Sequence, residues 1–279
     1  MNSILTIASL TIQEGRRRSI VRLAIIMGAL FLIVYGAGLH YIFLQFEESG
    51  MANRAEIDIP KTFLTLTGLY VTNFLVVIMS VLISVASISQ EIDTHVIDTI
   101  VTKPLRRTDV VLGKWLGFAI MIVLYTLFLA GGIVFISRWR TGVQLNNLPV
   151  GLGLICLNSL IVMTLTIAGG TRLSTLANGV VAFMMYGLAF IGGWVETIGA
   201  AFRNETAVNL GIFSSLLMPI EALWKKAALE FQPRILGNPQ FAGPFSVAAE
   251  PSDLMIWYAI LYIVVLLGFA LFSFKQRDL

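Results

Sequence analysis

The stretch that decides the fold is Leu116–Ile136, LGFAIMIVLYTLFLAGGIVFI, which contains no charged side chain. A helix of about 20 such residues is long enough to cross the hydrocarbon core of a bilayer. The rest of the chain has the same character, since 57% of its residues are hydrophobic and only 13% are charged. Soluble domains carry about 25% charged residues, so this composition predicts a chain that is solvated by lipid.

Six apolar runs of this kind predict an all-α polytopic membrane protein with about six transmembrane helices. The runs are Leu23–Phe46, Phe63–Ile88, Leu116–Ile136, Val150–Ala168, Leu176–Ile198 and Leu254–Phe274. Lys and Arg are more frequent on the side of the two termini than in the short loops of the other side, as the cluster Arg16–Arg18 illustrates. The positive-inside rule therefore predicts a multi-pass protein of the cell (inner or plasma) membrane with both termini in the cytoplasm.

Two segments outside the spans have an amphipathic pattern. Residues 2–14 fit an interfacial helix that leads to Arg16–Arg18, with an apolar face formed by Ile4, Leu5, Ala8 and Ile12 and with Thr11 at its edge. Such a helix is expected to lie in the plane of the lipid headgroups. The long external segment 199–253 contains a second amphipathic stretch, Leu216–Phe231, in which Trp224 stands beside two lysines. This pattern suits a membrane interface and predicts a re-entrant or interfacial pair of short helices.

The cytoplasmic segment between spans two and three has a helix, turn and helix pattern. Glu91 to Thr102 predicts a short amphipathic helix, and Pro104 is expected to end it because proline lacks an amide hydrogen. Thr108 is expected to cap the next helix, with Asp109 near its positive end. Physical reasoning alone leaves two interpretations open, an ordinary basic loop or a rigid lever that touches a soluble partner.

This segment resembles the loop after the second span in ABC-2-type permeases, the membrane subunits of a class of ABC transporters. The positions that match the pattern of the family are Glu91, Asp98, Thr102, Lys103, Pro104, Arg107, Gly113 and Lys114. His95-Val96 departs from it, since the family usually has Gly-Thr there. Ile12 to Arg18 is similar to the elbow helix of the family, and Phe274 to Leu279 is similar to its usual C-terminal ending.

The resemblance implies a single ABC-2-type transmembrane domain over residues 1–279. It would comprise an elbow helix at 1–19, a coupling region at 89–110 and the extracytoplasmic segment 199–253. Residues implied to couple the permease to its ATPase are Glu91, Asp98, Lys103, Pro104, Arg107, Gly113 and Lys114, and those at the membrane surface are Glu14, Arg16, Arg17 and Arg18. The implied partners are two copies of a cytosolic ABC ATP-binding subunit, a second permease copy or a related permease, and the lipid membrane.

The chain has no phosphate-binding loop of its own. Gly113-Lys114 resembles the end of such a loop, but Arg107 stands where the first glycine would be. ATP and Mg²⁺ are therefore expected on the partner subunit, and the chain is expected to be neither an enzyme nor the carrier of a cofactor. Its two histidines, His40 and His95, fall on opposite sides of the membrane, so no metal site is predicted. Because the basic residues sit at span ends, no nucleic-acid partner is expected either.

Asn73, Asn158 and Glu196 are the candidate residues for a transport path. Ionisable groups within a membrane span point to function by default, whereas Asn side chains more often link neighbouring helices. Glu196 lies near the outer end of span five, where we expect water to reach it. Glu221-Ala222-Leu223 resembles the start of an importer coupling motif, but Ala227 replaces the later glycine and the segment is on the external side.

Three functions remain open from the sequence. The first is the permease subunit of an ATP-driven transporter, with export favoured over import. The second is a non-transport ABC-type complex that transmits ATP-driven force to an extracytoplasmic partner. The third is a membrane-embedded enzyme, which is disfavoured because no catalytic or metal-ligating set is apparent.

Overall fold

The structure is a computed structural model that describes residues 3–48, 58–85, 87, 106–232 and 251–276. Within those ranges it contains nine α-helices. In chain order they are α1 (Ser3–Arg17), α2 (Ser19–Glu48), α3 (Asp58–Ser84), α4 (Arg107–Thr141), α5 (Leu148–Gly170), α6 (Thr175–Ala201), α7 (Glu205–Leu217), α8 (Ile220–Phe231) and α9 (Leu254–Lys275).

Six of these helices, α2, α3, α4, α5, α6 and α9, are long and apolar enough to cross a membrane, which confirms the predicted all-α polytopic fold. Five of the six contain a whole predicted apolar run. The exception is α3, which covers the run Phe63–Ile88 as far as Ser84. Most are longer than the run itself, because polar residues such as Arg107 and Thr141 continue the helix past the apolar stretch. At 1.5 Å per residue, the 35 residues of α4 extend over about 50 Å, which is more than the hydrocarbon core.

The spans differ strongly in how much of each is buried within the chain. Helices α3 and α5 are the most buried, whereas α2 and α9 are the least. The core is formed by apolar residues of α3, α4 and α5, including Leu69, Ile122 and Ile161, together with residues of α8. The outward faces of α2, α6 and α9 are apolar and exposed, as lipid or a second membrane chain requires.

The two ends of the bundle can be assigned from contacts between its helices. Arg107 Nη1, at the start of α4, donates to the Lys275 carbonyl at 3.4 Å, at the end of α9. At the other end, Lys226 on α8 pairs with Asp253, which precedes α9. We call the end that carries α1 and Lys275 the terminal end, and the end that carries α8 the distal end.

The N-terminal helix α1 packs against the first turns of α4 at the terminal end. Two glycines of α4 permit this approach, since an added Cβ would lie 2.6 Å from Ile7 Cβ at Gly113 and 2.8 Å from Thr11 Cβ at Gly117. Thr11, which was expected at the edge of the apolar face, is buried within this contact. The amphipathic N-terminal helix is therefore confirmed, but its buried side faces α4.

The start of α4 differs from the sequence-based expectation. Arg106 is the N-cap residue and makes no side-chain capping bond, so the predicted cap by Thr108 is wrong. Thr108 lies in the first turn, because the chain is already helical at Arg107. Asp109 is in the first turn as predicted, and it accepts a hydrogen bond from the Ser3 hydroxyl of α1.

The amphipathic stretch Leu216–Phe231 is two helices, because the chain bends by 101° between α7 and α8. Pro219 stands at the bend, where its missing amide hydrogen prevents a continuous helix. The bend leaves carbonyl groups at the end of α7 without helical partners. The hydroxyl of Tyr258 on α9 donates to the Leu216 carbonyl, and that of Tyr262 donates to the Leu217 carbonyl at 3.1 Å.

Helix α8 inserts into the distal end of the bundle, where it contacts α3, α5, α6 and α9. Trp224 and both neighbouring lysines are buried there, so the stretch packs against other helices and does not present these side chains to lipid headgroups. The re-entrant alternative agrees with the bent pair. The apolar and charged pattern is the same in both cases, but here the charged groups meet partners on other helices.

Candidate functional site

The distal end contains a buried cluster of three ionisable side chains, Glu196, Glu221 and Lys225, which we call the distal cluster. Glu221 and Lys225 are one helical turn apart on α8, and Glu196 is on α6. Lys225 Nζ lies 3.0 Å from Glu196 Oε2, and the two side chains are 9% and 13% exposed. Lys225 Nζ also donates to the Gly193 carbonyl at 3.3 Å. The expectation that water solvates Glu196 is therefore wrong, because α8 covers it.

Glu221 is the most unusual member of the distal cluster. The residue is 8% exposed, and its side chain lies against Gly193 of α6, where an added Cβ would be 2.8 Å from Glu221 Cδ. The charges that act on its carboxylate are Lys225 and Glu196. Among the residues that the structure describes, none donates a hydrogen bond to it. A buried carboxylate in this state is costly in its charged form, and a cation or a hydrogen-bond donor beside it would lower that cost.

Close packing between α6 and α7 positions Glu196. An added Cβ at Gly211 of α7 would lie 2.3 Å from Glu196 Cβ, and one at Gly192 would lie 1.7 Å from Ser214 Oγ. Small residues allow helices in a membrane to approach at backbone distance, which explains the glycines. The approach fixes the side of α6 that faces α8.

A row of aromatic rings extends from the distal cluster towards the surface of the bundle. The Tyr70 and Trp224 ring centroids are 5.1 Å apart, and the charge of Glu221 acts on both Tyr70 and Tyr186. Neighbouring rings then follow at centroid separations of 6.0 to 6.5 Å, in the pairs Phe74–Tyr186, Tyr186–Phe190 and Phe190–Trp194. The row is buried at Trp224 and Tyr186, and it is partly exposed at Phe74 and Trp194.

Further contacts hold α8 at its middle and at its C-terminal end. Lys226 Nζ lies 2.6 Å from Asp253 Oδ1 and donates to the Pro251 carbonyl at 3.2 Å. At the C-terminal end, the Phe231 ring covers Gly151 of α5, and Asn147 Nδ2 donates to Glu230 Oε2 at 2.6 Å. Helix α8 is therefore attached to α5, α6 and α9 by polar contacts or close packing.

The structure brings two of the three candidate path residues together. Asn158 Nδ2 of α5 donates to Asn73 Oδ1 of α3 at 2.9 Å, and both residues are buried. Asn158 Oδ1 has no hydrogen-bond partner. Glu196 is not part of this pair, since it belongs to the distal cluster. The asparagines thus make the interhelical bond that residues of this type commonly form in membranes.

The coupling residues are only partly within the described ranges. Glu91, Asp98, Lys103 and Pro104 lie outside them. The others belong to α4, where Arg107 is at the start, Gly113 lies under α1, and Lys114 is buried and donates to the Ser87 carbonyl at 2.8 Å. These contacts position Gly113 and Lys114 inside the helix bundle. Their coupling role stays a prediction.

The elbow residues lie at the end of α1 and just beyond it. Arg16 and Arg17 are exposed, and Arg18 Nη2 pairs with Glu14 Oε1 at 2.6 Å. At the distal end, Arg140 joins α4 to α2, because its Nε donates to His40 Nδ1 at 3.0 Å and its Nη1 pairs with Glu47 at 2.9 Å. His40 thus has a contact within the helix bundle that residue type alone could not predict.

Sequence reasoning missed Glu221, Lys225 and Lys226 as site residues. A signal was present, since a carboxylate and an ammonium four residues apart follow Pro219 in an otherwise apolar stretch. The spacing puts Glu221 and Lys225 on one face of a helix. It could not show that this face meets Glu196.

The whole chain agrees with one protein family. The sequence model described as ABC-2 family transporter protein matches residues 5–279. No curated protein matches the chain. The match includes every described helix except the first two residues of α1, and six apolar helices are what a membrane subunit of this class needs. The chain therefore belongs to the ABC-2 family and is a membrane permease subunit of an ABC transporter.

Proposed function

We propose that this permease works as an exporter and that two copies of a separate cytosolic ABC ATP-binding subunit, carrying ATP and Mg²⁺, provide its energy. The observation that carries the proposal is the family match over residues 5–279. The terminal end would face the cytoplasm. A second permease copy, or a related permease, would pack against the apolar faces left exposed in this chain.

The coupling region 89–110 is proposed as the docking site for the ATPase. The contacts around it support this role, because the buried Lys114 of α4 holds the Ser87 carbonyl at 2.8 Å. Ser87 precedes the coupling region and Lys114 follows it, so this bond joins the two flanks of the region to each other. Helix α1 also packs on α4 next to Lys114, at Gly113 and Gly117. A force on the coupling region would therefore be transmitted directly to α1, α3 and α4.

Within the extracytoplasmic segment 199–253, α8 leaves little surface for the external partner that force transmission would need. Ten residues of α8, including Glu221, Trp224 and Lys225, are buried against other helices. A docking surface for a soluble partner needs exposed side chains, but every side chain of α8 is buried except Leu229 and Glu230, which are half-buried. Export is proposed as the direction because the resemblance to ABC-2-type permeases points to extrusion.

A pull-down of the tagged protein from native membranes in mild detergent tests the proposed partnership. We expect recovery of a soluble chain that has a phosphate-binding loop and ATPase activity, and loss of that chain in the double charge reversal Asp98→Lys with Lys103→Glu. The matched control is Asp58→Lys at the distal end, which should retain the ATPase. Recovery of no ATPase under conditions that preserve other complexes would contradict the proposal.

The direction of transport is tested with inside-out vesicles that contain the complex. ATP-driven accumulation of a compound inside such vesicles corresponds to export in the cell. ATP hydrolysis without accumulation of any compound class tested would favour force transmission instead.

A further inference from the structure

The distal cluster has more acceptors than donors. Two carboxylates, Glu196 and Glu221, share the single ammonium of Lys225, which lies 3.0 Å from Glu196. Glu221 is buried, and no described group donates a hydrogen bond to it. A buried negative charge without a donor favours the binding of a cation or of a ligand that donates.

The surroundings of Glu221 suit an organic cation. Tyr70 and Tyr186 are near enough for the charge of Glu221 to act on them, and Trp224 packs against Tyr70 at 5.1 Å between ring centroids. The faces of Trp and Tyr rings attract ammonium groups, and the attraction increases when water is excluded. A carboxylate beside aromatic faces is therefore a recognition environment for an amine or a quaternary ammonium group.

A second acceptor without a donor lies further along the same helices. Asn73 is one helical turn from Tyr70 on α3, and its partner Asn158 has a buried Oδ1 atom without a hydrogen bond. This oxygen is independent of the distal cluster. The contact between α3 and α5 therefore contains an acceptor without a donor, as the distal cluster does.

The aromatic row connects the distal cluster to the surface of the bundle. Phe74 on α3 is 43% exposed and Trp194 on α6 is 37% exposed, whereas Tyr186 between them is buried. An amphiphilic cation could leave the lipid along these rings, with its apolar body against them and its charged group directed to Glu221.

We propose that the distal cluster and its aromatic row bind the cationic group of the transported compound, an amine or quaternary ammonium on an apolar body. This inference rests on the proposed transport function and adds a substrate class to it. Glu221 is the counter-charge, and Tyr70, Tyr186 and Trp224 provide the aromatic faces beside it. Lys225 competes with the ligand, because its ammonium already neutralises part of the negative charge.

Equilibrium dialysis of radiolabelled benzyltrimethylammonium against the purified full-length permease in nucleotide-free lipid nanodiscs tests the inference. We expect saturable binding that is absent from empty nanodiscs. Neopentylbenzene has the same shape without the charge, and it should not compete. No saturable binding, or equal competition by the uncharged analogue, would overturn the inference without the need for any variant.

Three variants locate the site. Glu221→Gln keeps the shape of the side chain and removes its charge, so binding should weaken about tenfold or more. Lys225→Gln removes the competing ammonium, so binding should become tighter. Glu230→Gln changes a carboxylate on the same helix outside the distal cluster, and binding should not change. Equal weakening in the Glu221 and Glu230 variants, or no weakening in either, would contradict the assignment.

Failure of this inference is distinguishable from failure of the proposed function. The binding assay needs no ATPase, whereas the pull-down reports only the partnership with it. If an ATPase co-purifies but the permease binds no cation, the proposed substrate class is wrong and the proposed transport function still stands. If charge-selective binding is found but no ATPase co-purifies, the binding site still stands and the proposed energy source is wrong.

Discussion

Lys225 of α8 and Glu196 of α6 form an ion pair of 3.0 Å in which both side chains are almost completely buried. The two residues are separated along the chain by α7 and by the 101° bend that follows it. The pair therefore fixes the position of α8 after a sharp change in chain direction. Since burial of charges offsets much of the attraction between them, its main effect is on where α8 packs.

Single substitutions in this pair should destabilise the protein unequally. Loss of Lys225 in Lys225→Gln leaves two buried carboxylates together, and we expect a loss of about 3 kcal/mol in the free energy of unfolding. Glu196→Gln should cost less, because Glu221 remains one turn from Lys225 and can take over as its partner. Unfolding in mixed detergent micelles measures both values.

The exposed pair Asp58–Lys61 is the control for this experiment. Its charged atoms are 3.1 Å apart, which is nearly the same distance, but Asp58 is exposed. Asp58→Asn should therefore change the free energy of unfolding by less than about 1 kcal/mol. If Lys225→Gln lowered the free energy of unfolding no more than Asp58→Asn does, the buried pair would contribute no more stability than the exposed pair.

Gly151 of α5 is expected to tolerate no side chain. An added Cβ would lie 2.3 Å from Phe231 Cε1, and the Phe231 ring is fully buried and cannot move freely. Gly151→Ala should therefore destabilise the protein by about 1 to 3 kcal/mol. Gly153→Ala, on the same helix with no atom within 4 Å of the added Cβ, should be neutral or slightly stabilising. Thermal unfolding in detergent compares the two, and equal values would contradict the contact between α5 and α8.

Docking of α1 on α4 should depend on Gly117. An added Cβ there would lie 2.8 Å from Thr11 Cβ and 2.9 Å from the Ala8 carbonyl oxygen. We expect Gly117→Ala to loosen α1, so that amide hydrogen exchange in residues 3–17 becomes about tenfold faster. Gly131→Ala on the same helix meets no atom within 4 Å and should leave this exchange unchanged. Unchanged protection in both variants would refute the packing.

The Asn73–Asn158 hydrogen bond should be measurable by a double-mutant cycle. Replacement of each asparagine by alanine, singly and together, should give a coupling energy of about 0.6 to 1.7 kcal/mol. The range is low because membrane helices find other partners when one polar group is lost. A coupling energy of zero would mean that the 2.9 Å contact contributes no stability.

Transport should respond to Glu196→Gln if Glu196 belongs to the substrate path. A vesicle assay of the variant complex against the wild type measures this, with Asp58→Asn as the control. We expect slower transport, since the substitution frees Lys225 to neutralise Glu221. Unchanged transport would remove Glu196 from the path.

The sequence was sufficient for the six spans because the constraint on them is local. In lipid, a backbone can satisfy its hydrogen bonds only within its own segment, so a long apolar run such as Leu116–Ile136 must be helical. The helix that contains it, Arg107–Thr141, shows this directly. The resemblance to ABC-2 permeases was also local, and the family match confirms it.

The sequence was not sufficient for the surroundings of polar side chains. Leu216–Phe231 has a pattern that fits a membrane surface, yet α8 packs among other helices, because a charged face is stable wherever it finds a partner. Glu196 and Lys225 lie in different helices, and no periodicity relates them. Their contact required the turn after α6, the glycine packing of α7 and the bend at Pro219.

The sequence by itself thus determined that this chain is a six-span helical membrane protein of the ABC-2 family, because hydrophobic length and the coupling-region pattern are properties of contiguous residues. Only the tertiary structure decided that α8 is buried, that Lys225 pairs with Glu196 and that Glu221 is left without a donor. The physical reason is that the free energy of a buried charge depends on which groups surround it in space, and folding brings those groups together from the separate helices α3, α6 and α8.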